Sequence, residues 1–338
     1  MNLSFFLTRR LTCLLLSLAV MGCGESPLQW QLENGYKWAS VKAHHRGNGL
    51  TGLSPDVTDI WFRNEVSDKL IASNRVLLNG AGVATGDIDG DGFTDIYFCK
   101  TDGPNILYRN LGGWKFEDIT EESGVACPDQ FSTGAVFADI DGDGDLDLLV
   151  TALGGPNAAF INDGSGRFSE ATDQLGLTGS SGATTMALAD VDMDGDLDLY
   201  LTNYKTVMAK DIYSPFERSF HQIVSEDDEN PRIREKFIDH YTIERRGQQI
   251  VLLEMAEEDA MFFNNGQGLF VREPISGSRF LFDQENPDLR DWGLMARFQD
   301  IDLDGDPDLY VCNDFESPDR FYINDGTGNF HHTSPVTV

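Results

Sequence analysis

Four short acidic loops constrain this chain more than any other feature of it. They are Asp87 to Asp95 (DIDGDGFTD), Asp139 to Asp147 (DIDGDGDLD), Asp190 to Asp198 (DVDMDGDLD) and Asp300 to Asp308 (DIDLDGDPD). Position 1 is Asp87, Asp139, Asp190 or Asp300, and position 3 is Asp89, Asp141, Asp192 or Asp302. Position 5 is Asp91, Asp143, Asp194 or Asp304, and position 9 is Asp95, Asp147, Asp198 or Asp308. Carboxylates crowded this closely repel one another unless a cation sits among them, and oxygen donors at this spacing suit a hard ion such as Ca²⁺. A glycine at position 6 allows the sharp bend that wraps the loop around an ion. Position 7, which is Phe93, Asp145, Asp196 or Asp306, is expected to offer its backbone carbonyl, so that even Phe is tolerated there. The expectation is up to four calcium ions.

Such a loop can belong to a helical EF-hand, which needs a bidentate Glu at position 12. That position holds Phe98, Val150, Leu201 and Val311. Position 9 leads instead into a short apolar or aromatic run (IYF, LLV, LYL, LYV), the pattern of a buried strand. The loops therefore join strands.

The first three loops start at 87, 139 and 190 and the fourth at 300, a period near 50 that signals a repeat architecture. Each unit has a Gly-rich strand, the acidic loop, a second strand, and a third strand that turns back through an Asn/Gly hairpin into a fourth, as in Phe160-Ile-Asn-Asp-Gly-Ser-Gly-Arg-Phe168. The predicted fold is all-β, a β-propeller of four-stranded antiparallel blades over residues 57–338, with blades near 82–120, 133–172, 183–273 and 292–333. Val57 to Phe62 reads as a lone strand able to close the set. The wide gap between loops three and four places an insertion at 205–256, in blade three. Ser214-Pro-Phe-Glu217 reads there as a capping box with Phe216, Phe220, Ile223 and Val224 on one helical face. A second short helix is expected after Asn230-Pro231, with Ile233, Phe237, Ile238 and Tyr241 on one side, and then a hairpin turning at Gly247.

The Gly-rich first strand with its DxDxDGxxD loop resembles the FG-GAP repeat of the integrin alpha-chain type. Gly103 to Thr120 and Gly134 to Leu148 look like bacterial relatives of cartilage acidic protein. The resemblance implies a propeller, usually of seven blades, with Ca²⁺ held between first and second strands by the Asp residues named above. Four repeats fall short of seven, which implies a small ring, a partial propeller or an open arc that associates through its blade edges.

Residues 1–22 read as a secretory signal, with Arg9 and Arg10 before a short apolar run, and Val20-Met21-Gly22-Cys23 resembles a lipobox that would lipidate Cys23. Residues 23–56 read as a lead-in. The expected location is a bacterial envelope, with a lipid-anchored, periplasmic or extracellular chain. Export permits a disulfide, for which Cys99 and Cys127 are the plausible pair. Cys99 and Cys312, with Thr151 and Thr202, share position 13 and read as small buried strand residues. A net charge of −31 argues against nucleic acid or anionic membranes as partners. The function read from these features is a non-catalytic binding or scaffold module for a protein or carbohydrate ligand. The rivals are a polysaccharide-active enzyme, for which Glu257, Glu258 or Asp259 would have to serve, and a truncated remnant of a longer protein. No G-x-S-x-G or H-E-x-x-H pattern is present, and His44, His45, His221, His240, His331 and His332 lack matching ligands nearby in sequence.

Overall fold

The structure is a computed structural model that describes residues 30–33, 36–39, 51–225, 231–282, 289–315 and 317–333. The signal segment and Cys23 lie outside the described residues. Residues 1–52 form one compact unit, described as an antiparallel hairpin of β1 (Trp30–Glu33) and β2 (Tyr36–Ala39). Among the described residues no helix is long and apolar enough to cross a membrane.

The second unit, Leu53–Val338, holds four antiparallel blades. Blade 1 is β3 (Val83–Gly86), β4 (Asp95–Phe98), β5 (Ile106–Asn110) and β6 (Phe116–Asp118). Blade 2 is β7 (Ser132–Ala138), β8 (Asp147–Pro156), β9 (Ala158–Asn162) and β10 (Phe168–Glu170). Blade 3 takes β11 (Ser180–Ala189) and β12 (Asp198–Asn203), and after the insertion β15 (Ala260–Asn264) and β16 (Phe270–Pro274). Blade 4 is β18 (Gly293–Gln299), β19 (Asp308–Asn313), β20 (Arg320–Asn324) and β21 (Phe330–Thr333), with the short parallel strand β17 (Phe280–Leu281) added at its edge. The propeller-like, all-β reading of the repeats is thus met by the structure, each acidic loop joining the first two strands of its blade.

The Gly-rich first strands are explained by how closely they approach. A Cβ on Gly82 would lie 2.8 Å from the Gly134 Cα, and one on Gly134 would lie 2.7 Å from the Thr184 carbonyl. The first strands pack in succession, β3 on β7, β7 on β11 and β11 on β18. Threonine hydroxyls tie neighbouring blades together there: Thr133 donates to the Ala183 carbonyl (2.8 Å) and Thr184 to the Gly293 carbonyl (3.0 Å). Thr151 and Thr202 are fully buried as expected, and the Thr151 hydroxyl also reaches across, to the Thr184 carbonyl at 3.1 Å. Cys99, Cys127 and Cys312 are all free, so the expected Cys99–Cys127 bridge is not formed.

Residues 55–80 depart from the sequence reading. Val57 to Phe62 is not a strand. Pro55 opens a single helical turn, Pro55–Thr58, which Asp59 ends in a left-handed conformation (φ 63°). The chain then runs as irregular backbone, and the Phe62 ring stacks on Phe98 of blade 1 at 4.5 Å. Val76 and Leu77 bury beside Leu153, Tyr204, Met208 and Trp292, so this lead-in fills a common apolar centre for blades 2 to 4.

The insertion is less helical than its pattern suggests. The capping box forms, the Ser214 hydroxyl and amide both reaching Glu217 at 2.9 and 3.0 Å, but only single turns flank it, Ala209–Ile212 before it and Phe220–Ile223 after it. Phe216 is exposed, and Ile223, Val224, Phe237 and Tyr241 make the small core. Short segments trapped between strands cannot propagate a helix whose nucleus is costly. The hairpin is present as β13 (Tyr241–Arg246) and β14 (Gln249–Glu254), turning at Gly247.

Candidate metal centres

Backbone amides turn inward on the carboxylates of the loops, most fully in loops 1 to 3. The position 1 carboxylate collects them first. Asp139 accepts from the amides of Gly142 (2.8 Å), Asp143 (3.1 Å) and Gly144 (3.0 Å), and Asp87 and Asp190 do the same for positions 5 and 6 of their loops. The position 5 carboxylate accepts the amide of position 7, at 2.8 Å for Asp91 and 3.0 Å for Asp143. Position 7 side chains face the hairpin of their own blade, since a Cβ on Gly164 or Gly266 would collide with the Asp145 or Asp196 carboxylate.

Carboxylate oxygens converge in every loop. Those of Asp87, Asp89 and Asp95, of Asp139, Asp141 and Asp147, of Asp190, Asp192 and Asp194, and of Asp300, Asp302 and Asp304 lie within 4.8 Å of one another. One Oδ1 each of Asp89, Asp192, Asp300 and Asp306 is buried without a hydrogen-bond partner. A buried carboxylate oxygen with no donor is costly, and a hard cation is the group that relieves several at once. In loop 1 a guanidinium sits alongside, Arg109 Nε being 3.0 Å from Asp89 Oδ2. Loop 4 is the least braced, since among the described residues Asp300 takes none of the amides that positions 5 and 6 give in the other loops.

Position 9 has a second role that the sequence pattern did not reveal. Each of these Asp residues is buried, and each uses both oxygens on backbone amides. Asp147 accepts from Ile140 (3.0 Å) in its own loop and from Asn162 (2.9 Å) at the end of the third strand. Asp95 joins Ile88 to Asn110, Asp198 joins Val191 to Asn264, and Asp308 joins Ile301 to Asn324 in the same way. An Asn closes every third strand, but its backbone amide makes this bond, so the residue type alone does not announce the brace. A carboxylate oxygen has two lone pairs, so a brace at position 9 can still face an ion.

Burial and crowding make the loops reluctant anions. Burial pushes Asp147 up to about 6 and Asp198 up to about 7, against the pull of their two amides and with help from the neighbouring carboxylates. Asp95, Asp141 and Asp192 are raised for the same leading reason. A divalent cation would reverse this balance by favouring the ionised form.

The loops also reveal a strain. Position 4 needs a left-handed backbone, supplied by Gly90 and Gly142 in loops 1 and 2 but by Met193 (φ 59°) and Leu303 (φ 68°) in loops 3 and 4. Leu303 is 85 % exposed, so its side chain gains little from packing. Leu303→Gly is expected to raise stability by about 0.5–1 kcal/mol, the left-handed penalty less the entropy that glycine loses. Chemical denaturation checks it, and an unchanged or lower midpoint would contradict the strain.

The acids that an enzyme would need lie outside the loops and are engaged as backbone caps. Glu257 accepts from Gly182 (2.6 Å) and Thr206 (2.7 Å), Glu258 from Ser276 (2.9 Å), and Asp259 from Asn203 (2.6 Å) and the Tyr200 hydroxyl (2.9 Å). Asp259 is pushed up to about 7 by burial.

Comparison with known proteins agrees with this geometry. The FG-GAP-like repeat family matches residues 87–150 and 139–201, which are the first three loops with their strands. The chain is 32 % identical to cartilage acidic protein 1 of Xenopus tropicalis over 128 residues, 37 % of this chain and 20 % of that protein. It is 30 % identical to the Mus musculus protein over 144 residues, 41 % of this chain and 22 % of that one. The chain therefore aligns with about a fifth of the length of these relatives. The Vibrio cholerae biofilm matrix protein Bap1 is structurally similar over 74 % of this chain and 38 % of that one, at 16 % identity and a TM-score of 0.30, too distant to carry an argument. The repeats at residues 87–201 are FG-GAP-like, on a propeller-like all-β fold, and part of the chain is similar to cartilage acidic protein 1.

Proposed function

We propose that this chain is an exported calcium-binding propeller module that works as a non-catalytic binding or scaffold surface, with calcium holding its four loops. The observation that carries the metal reading is the convergence of three carboxylates in every acidic loop, with buried, partnerless oxygens at Asp89, Asp192 and Asp300. The ligands are the Asp residues at positions 1, 3, 5 and 9 with the carbonyl of position 7. The ion's first task is structural, because each loop joins the first two strands of a blade and four like charges oppose that closure. The signal-like N-terminus, with the lipobox-like Cys23, supports an envelope location, and the resemblance to cartilage acidic protein supports an extracellular role.

The test counts ions. Native mass spectrometry of the purified protein in calcium is expected to show up to four bound ions, and Asp141→Asn with Asp143→Asn should remove about one of them. An unchanged count would remove loop 2 as a site.

A further inference from the structure

The insertion and blade 4 enclose a pocket that has no part in the acidic loops. Each acidic loop joins the end of a first strand to the start of a second, so in blade 4 it lies between Gln299 and Asp308. The pocket is at the opposite end of that blade, beside Trp292, which precedes β18, and Phe315, Ser317 and Pro318, which follow β19. Its other wall is Leu253 and Glu254 at the end of β14, with Met208 from the start of the insertion. The cavity measures about 340 Å³, at the small end of the range of about 300–1,000 Å³ in which small ligands bind.

The lining combines an apolar floor with charges that are already matched. Met208, Met255 and Trp292 are buried beneath the cavity. Arg320 holds Asp291 by two parallel bonds, Nε to Oδ2 at 2.7 Å and Nη2 to Oδ1 at 3.0 Å. Glu254 Oε1 accepts the Lys205 ammonium (3.1 Å) and the Ala209 amide (2.6 Å). The remaining cation, Arg290, is exposed at the rim, where solvent and salt screen it. The pocket therefore holds little unmatched charge for an ionic ligand to oppose, but it keeps acceptor capacity. Each Asp291 oxygen has a second lone pair, and among the described residues Glu254 Oε2 has no hydrogen-bond partner.

Phe315 adds an aromatic wall under strain. Its backbone is left-handed (φ 54°), a costly conformation for a bulky residue, yet its side chain is 63 % exposed. It lies edge to face with Trp292 at 5.1 Å and tilted against Tyr204 at 6.3 Å. Burial does not account for a strained ring in this place, whereas a ligand that packs on it does. We propose that the pocket binds a neutral pyranose, a ring or two of an uncharged glycan, with its C–H face stacked on Phe315 and its hydroxyls donating to Asp291 and Glu254. A pyranose carries an apolar face and several hydroxyl donors on one small rigid body, which is the complement of an aromatic wall beside paired carboxylates. This rests on the reading of the chain as a binding module, to which it gives a place and a ligand class, but not on calcium.

Saturation-transfer NMR of the purified protein in calcium tests it. The probes are the methyl glycosides of glucose, galactose, mannose and N-acetylglucosamine, and methyl glucuronide as the acidic control. Each is used at about 10 mM, which detects dissociation constants near about 1 mM. At least one neutral glycoside should receive saturation, most strongly at its ring C–H protons, and the glucuronide should receive less. Phe315→Gly should weaken that glycoside about tenfold or more while keeping the melting temperature, because relief of the left-handed strain offsets the lost ring contacts. Leu253→Trp, which fills the cavity from the insertion side, should also weaken it about tenfold. No transfer to any neutral glycoside from the folded wild type, equal binding by Phe315→Gly, or a preference for the glucuronide would each overturn the proposal. A calcium count on the same samples, expected to be unchanged in both variants, separates this failure from a failure of the loops.

Discussion

Asp147→Ala is expected to lower stability by roughly 2–6 kcal/mol, because it strands two buried backbone amides at about 1–3 kcal/mol each. Those amides belong to Ile140 and Asn162, which Asp147 now joins at 3.0 and 2.9 Å. Domains of this kind are stable by only about 5–15 kcal/mol, so the variant should sit near the threshold of folding. Asp147→Asn should lose less, since its Oδ1 keeps one amide while its NH₂ opposes the other. Urea denaturation in chelator isolates the brace from any ion. Equal midpoints for wild type and Asp147→Ala would mean that position 9 matters only through metal.

The second large effect is a pH dependence that calcium should reverse. Asp147 and Asp198 are held at about 6 and about 7 in the folded, metal-free protein, by burial first and by neighbouring carboxylates after it. In the unfolded chain both return to about 3.9. A raised folded value means that the native state binds protons more tightly than the unfolded one. The stability linked to these groups is therefore fully present below about pH 4 and is lost as pH rises through 6 to 7. In chelator, the melting temperature set by these groups should fall between pH 5 and pH 8. In calcium the ionised carboxylates are the binding form, so stability should instead rise over the same interval. Melting curves at pH 5, 6, 7 and 8 in both conditions read this out, and parallel profiles would contradict it.

The parts of this molecule that could be read from its sequence are those whose partners lie close along the chain. The acidic loops have all their candidate ligands within nine residues, and the hairpin at Gly247 has its signal on the turn itself. The blade order came from repetition of short apolar runs after each loop. The braces at position 9 were not legible because their second partner is distant, 15 residues on for Asp95 and Asp147 and 66 for Asp198, across the insertion. Val57 to Phe62 is rich in the β-branched and aromatic residues of a strand, yet Pro55 opens a helical turn there and Phe62 stacks on Phe98 from irregular backbone. Phe216 fits a helical stripe in the sequence but is left in solvent, because the helical turn starts only at Phe220 and the insertion's small core is closed by Ile223, Val224, Phe237 and Tyr241.

Thermal unfolding of the purified protein at pH 7.5 in millimolar Ca²⁺, in millimolar Mg²⁺ and in chelator tests whether calcium closes these loops. Four sites each about tenfold above their dissociation constants would add roughly 5–6 kcal/mol, which for a unit of this size is a rise of about 10 °C or more. That rise should be specific to calcium, because Mg²⁺ demands a tighter octahedral shell than these loops offer. The same cooperative transition in all three conditions would reduce the acidic loops to ordinary turns.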